Sequence, residues 1–146
     1  MTRIRTRQGA FTLTEVVISL ALIGLAAGGI INGYIQSARV TDWQAHSLAA
    51  ESLAMQRVEQ CRAAKWDTRS FPPVDQLNAS NFPTVSEQLD LPIANTNASY
   101  ATIYTTITDI STAPPLRMIQ ADCVWQPAGR STRFTNTIVT YRAPDQ

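Results

Sequence analysis

Several things are scarce in this sequence, and each scarcity excludes something. No proline occurs between Met1 and Ser70, so nothing there forces a long helix to stop. No acid precedes Glu15, and no charge of either sign falls between Val16 and Ile31. There are only two cysteines, Cys61 and Cys123, without CxxC spacing, and one histidine, His46. A structural zinc site needs about four such ligands, so no metal site is expected. The formal net charge is only +1, and Arg3, Arg5 and Arg7 lie ahead of everything else; without them nine basic residues face eleven acids. No basic patch with interleaved aromatics exists, which argues against nucleic-acid binding through bulk charge.

What is present is uneven. A basic start leads into Val16–Ile31 (VVISLALIGLAAGGII), and the remainder reads as one modest domain. Three readings of residues 1–31 compete. A secretory signal peptide would be cut after its apolar stretch, near Ala26–Gly29, but would carry Glu15 at the start of its apolar core. A permanent anchor would use Phe11–Ile31, 21 residues, with the arginines cytoplasmic; as a helix that is about 31 Å, one bilayer.

The third reading starts from the order of parts in Arg7-Gln8-Gly9-Ala10-Phe11-Thr12-Leu13-Thr14-Glu15-Val16. This junction resembles the leader and mature start of type IV prepilins and type II secretion pseudopilins. The resemblance implies a leader of residues 1–10 and removal of it by prepilin peptidase on the cytoplasmic side. It implies Phe11 as the first mature residue, its amine N-methylated, with Glu15 fifth. The family usually has Gly directly before the cut, whereas Ala10 stands between Gly9 and Phe11 here. Cutting after Ala10 keeps Glu15 fifth and is preferred; cutting after Gly9 would make it sixth.

A carboxylate in hydrocarbon costs roughly 2.5 to more than 10 kcal/mol and needs a partner. The resemblance supplies one, the amine of a neighbouring subunit's first residue, so that Glu15 sets the register of filament assembly. Physics alone offers an alternative: a first-turn Glu favours the helix dipole and reaches water at the interface.

Helical character is expected to continue past Asn32-Gly33 to about Lys65. The composition favours it, and Ala38, Ala45, Leu48, Ala49, Leu53, Met55, Val58 and Cys61 recur at helical spacing. Trp66 to Pro73 is a stop. Ala21, Gly24, Ala27 and Gly28 offer a close-packing surface in the first part. Residues 66–99 read as a variable αβ loop, in which Thr84-Val85-Ser86-Glu87 looks like a capping box and predicts a short helix at Val85–Leu89.

Three strands are expected at Tyr100–Ile110, Arg117–Gln126 and Phe134–Arg142, separated by turn signals and forming an antiparallel meander within residues 100–146. Alternation places Ile103 and Ile107 on one face of the first strand. On one face of the second it places Ile119, Ala121, Cys123 and Trp125. Those faces are expected to pack on the helix around Val58 and Cys61. The expected fold class is α+β, and helix-then-meander is similar to the pilin fold; the closing strands also resemble an I-type minor pseudopilin or a PilV-like minor pilin. In an oxidising compartment Cys61 and Cys123 could form a disulfide; otherwise they are buried thiols.

No catalytic set is visible, and neither enzyme activity nor a cofactor is expected. His46 is read as exposed or partner-facing. Asp109 and Asp122 could approach on adjacent strands, but two acids make no site. Trp43, Trp66 and Trp125 are read as packing residues. Asn78-Ala79-Ser80 and Asn97-Ala98-Ser99 match a glycosylation triplet.

The expected function is that of a minor pilin or pseudopilin. It would be stored in the inner membrane with its C-terminal domain periplasmic or outside, processed by prepilin peptidase, and assembled with other pilin or pseudopilin subunits into a pilus, DNA-uptake or secretion filament. The alternatives are a monomeric single-pass anchored binding domain, and a secreted binding protein that has lost residues 1–29.

Overall fold

A computed structural model describes residues 12–91, 99–127 and 131–145. One helix, α1 (Leu13–Ala63), is followed by strands β1 (Trp66–Asp67), β2 (Val74–Asp75), β3 (Val85–Gln88), β4 (Tyr100–Thr112), β5 (Pro115–Trp125) and β6 (Phe134–Arg142). A single 3-10 turn, Ala79–Asn81, lies between β2 and β3. The architecture is α+β. The chain divides into two units, Met1–Thr41 and Asp42–Gln146, with α1 contributing to both.

In the second unit the residues of α1 at 46, 50, 54, 57, 58 and 61 are buried, a stripe at i+3 and i+4 steps. That stripe is narrower and slightly rotated from the one expected. Leu48 and Met55 face outward at 66% and 47% exposure, because the sheet covers the face centred on Ala50 and Ala54 instead. Beneath it lies a four-stranded antiparallel sheet in the order β3-β4-β5-β6. β4 and β5 run in one register from Ala101 opposite Trp125 to Asp109 opposite Arg117. Past that point a bulge at Ile110 shifts it. β5 and β6 pair without interruption from Arg117 opposite Arg142 to Trp125 opposite Phe134.

The expected inner faces are observed. Ile119, Ala121, Cys123 and Trp125 are all buried, as are Ala101 and Ile103 on β4. With Ala50, Ala54, Val58 and Leu89, all of these but Ile119 make one cluster; Cys61, Trp66, Leu77, Phe82 and Ile119 make a second. Fully burying a side chain of the size of Ile103 or Leu77 stabilises by about 1.5–3 kcal/mol.

Two expectations need correction. Val85–Leu89 is not helical: Val85–Gln88 is β3, paired in register with Ile103 to Tyr100. Its alternating burial, with Val85 and Glu87 half-buried and Ser86 and Gln88 exposed, fits a strand, and pairing with β4 outweighs the local capping signal. Segment 66–99, read as a variable αβ loop, carries β1, β2, the 3-10 turn and β3. His46 is neither exposed nor partner-facing; it is 5% exposed, stacked on the Trp125 ring at 5.5 Å and 18°. Both thiols are free and buried, Cys61 in one cluster and Cys123 in the other.

Candidate assembly segment

The N-terminal part of α1 is built to start where it does. The backbone N–H of Glu15 donates to Thr12 Oγ1 at 3.3 Å and to the Thr12 carbonyl at 3.1 Å, and that of Val16 donates to the same carbonyl at 3.2 Å. Thr12-Leu13-Thr14-Glu15 thus caps the helix and leaves the Glu15 carboxylate in its first turn, where the dipole favours an anion. After Glu15 no charge occurs until Arg39. Those intervening residues span roughly 34 Å as a helix, enough to cross a bilayer.

This segment is apolar on every side, and its side chains are not buried among the described residues. Leu13, Leu20, Leu22, Ile23, Leu25 and Ile30 are all more than 60% exposed. An 18-residue window here reaches a mean hydropathy of 2.1 and is unburied. Isolated surface leucines are ordinary, but a continuous helix of them requires lipid or other helices. A Cβ at Gly24, Gly28, Gly29 or Gly33 would meet no atom, so these glycines answer to no contact within the chain. Gly9, Ala10 and Phe11, where cleavage and methylation are expected, lie outside the described residues.

The second unit is fastened at two ends. At one, Trp125 Nε1 donates to Asn136 Oδ1 at 2.7 Å, and Asn136 Nδ2 donates to Ser47 Oγ at 3.0 Å. His46 joins this knot through the Asp42 carbonyl, 2.8 Å from Nδ1, and Ser99 Oγ, 3.3 Å from Nε2. Trp43 packs edge-on against Phe134.

At the other end Arg117 gathers the turns. Its Nη1 and Nη2 donate to the two Asp75 oxygens at 2.7 and 2.8 Å, and its Nε donates to Asp109 at 2.7 Å. Nη1 also reaches the Leu77 carbonyl at 2.6 Å, and the guanidinium lies 4.4 Å over the Trp66 ring. The Arg117 hydrogen bonds hold the Asp75 carboxyl below the usual carboxylate range. Nearby, Arg142 Nη1 donates to the Cys61 and Ala64 carbonyls and caps the end of α1. Asp145 accepts from Trp66 N–H, which, with Arg142, lowers its pKa.

Asp109 and Asp122 do not come together. Asp109 stands opposite Arg117, whereas Asp122 stands opposite Tyr104 and accepts from Gln120 and Thr137. Among the described residues no three His, Cys, Asp or Glu side chains gather at one point. Asn78 uses its side chain within its own loop, accepting from Asn81 N–H and donating to the Asp75 carbonyl. Asn97 is outside the described residues. The Arg117 and His46 knots had no local signature that was complete, because Asp75 lies 42 positions from Arg117 and Ser99 lies 53 from His46.

Residues 5–31 match the family model described as the prokaryotic N-terminal methylation motif. The motif is a type IV pilin-like signal and indicates a prepilin peptidase substrate. Together with the apolar helix it is consistent with a membrane anchor. No curated protein and no solved structure matches the chain.

Proposed function

We propose that this protein is a minor pilin or pseudopilin, a non-catalytic structural subunit of a type IV pilus or type II secretion filament. The observation that carries the reading is Glu15 in the first turn of an apolar helix unburied by its own fold, within the matched methylation motif. Prepilin peptidase cuts between Ala10 and Phe11, and the Phe11 amine is methylated. The chain waits in the inner membrane with residues 42–146 on the periplasmic side. On assembly its helix leaves lipid for a bundle of like helices, where Glu15 meets the amine of a neighbouring subunit's first residue. Charge neutralisation between the two is what makes a carboxylate tolerable there.

Sequencing of the mature N-terminus tests the first half of this reading. A start at Phe11 is expected; a start near Asn32 would indicate secretion, and an uncut chain a simple anchor. The second half is tested by Glu15→Ala. Processing is expected to continue while incorporation into sheared filaments is lost, and normal incorporation would overturn the assembly role.

A further inference from the structure

Among the described residues, no backbone hydrogen bond reaches the outer side of β3 or of β6. Protected edges normally carry proline, lysine, a bulge or very few residues. β6 has none of these: Phe134–Arg142 runs nine residues, pairs with β5 without a bulge, and contains no Pro, Gly or Lys. Its outer-facing Val139 and Tyr141 are 44% and 60% exposed. Such an edge is a template for another strand.

The opposite edge, β3, is short at four residues but carries the complementary charge. Segment 85–90 carries Glu87 and Asp90 and no base, while segment 133–142 carries Arg133 and Arg142 and no acid. The sheet has an even number of antiparallel strands, so β3 and β6 run in opposite directions. A second copy set beside the first therefore offers β3 antiparallel to β6. Pairing two β6 edges would instead oppose two basic segments, and antiparallel contact would send the two α1 helices opposite ways.

We propose that β6 of one copy pairs with β3 of the next, continuing the sheet from subunit to subunit. Setting Arg133 opposite Asp90 puts Ile138 opposite Val85 and Thr137 opposite Ser86, matching half-buried with half-buried and exposed with exposed positions. The contact is head-to-tail, and the twist of the sheet turns each copy relative to the last, so it propagates without closing. The choice of a like-oriented neighbour rests on the proposed assembly role; the pairing capacity of the edges does not.

The test uses the full-length chain in its membrane, carrying both Ser86→Cys and Thr137→Cys, under mild oxidation. A ladder of disulfide-linked multimers is expected. Neither single variant, nor the control pair Ser86→Cys with Thr108→Cys, whose second site lies on an inner strand, should give one. Asp90→Arg should suppress the ladder and added Arg133→Asp should restore it. Sheared filaments are assayed alongside. No ladder in chain that is present in filaments overturns the edge contact and leaves the assembly role standing. A ladder without filaments supports the contact and overturns the assembly role. Absence of both overturns both.

Discussion

Arg117 and Asp75, 42 positions apart, meet in a two-pronged ion pair with N–O distances of 2.7 and 2.8 Å. The pair joins β5 to the β1–β2 hairpin, and the same guanidinium covers Trp66. Arg117→Met should cost about 2–3 kcal/mol, since it leaves a carboxylate pair and the Leu77 carbonyl without their donor. Arg117→Lys should recover little, because an ammonium cannot make the two-pronged contact. Denaturant titration of the full-length chain in detergent, followed by Trp fluorescence, reads both.

That cluster also sets the response to acid. Asp75 and Asp145 are held below their ordinary value near 3.8, the first mainly by Arg117 and the second mainly by the Trp66 N–H. A depressed native pKa means the unfolded chain takes up protons first. The stability they add is complete above the ordinary value and fades as pH falls through the native one. Unfolding midpoints measured from pH 5 down to pH 2 should fall, and Asp75→Asn should flatten part of that fall.

The two thiols act at the other end of the scale. Burial raises Cys61 and Cys123 from an ordinary value of 9.0 to about 11. Between those values the unfolded chain is the one that loses protons, so stability should fall as pH rises from about 9 to about 11. Replacing both by alanine should weaken that fall. Native chain should resist alkylation at pH 8 and take up two adducts once unfolded, by intact mass.

Thr105 Oγ1 is buried and has no hydrogen-bond partner among the described residues. It lies on the inner side of β4 opposite Ala121. Thr105→Val exchanges the hydroxyl for a methyl of similar size and should stabilise by about 1 kcal/mol, measured as a raised denaturation midpoint.

Ile119 is fully buried in the cluster that also holds Cys61 and Trp66. Ile119→Ala should cost about 2–5 kcal/mol in the same titration. Ser86→Ala, on the exposed side of β3, should change it by less than about 0.5 kcal/mol.

How much of this was legible in the sequence depended on whether the cause was local. β6 begins and ends at the residues expected, because Pro127–Arg130 and the alternation after Phe134 specify it locally. Thr84-Val85-Ser86-Glu87 misled because a capping box is a local signal and the force that makes β3 is pairing with residues 100–103. The place of His46 depended on Trp125, which nothing near position 46 announces. The N-terminal signal was readable because a peptidase and a membrane read the chain in order, as a reader does.

Four alanines, Ala50 and Ala54 on α1 with Ala101 and Ala121 beneath, are each no more than 1% exposed. At these positions helix and sheet approach on small side chains, and a larger one would have to push the neighbouring packing aside. Substitutions that the fold tolerates fall instead at exposed positions, such as those of the outer sheet face. A saturation library selected only for folding should be nearly empty at those four positions and crowded at Thr135, Thr137 and Val139.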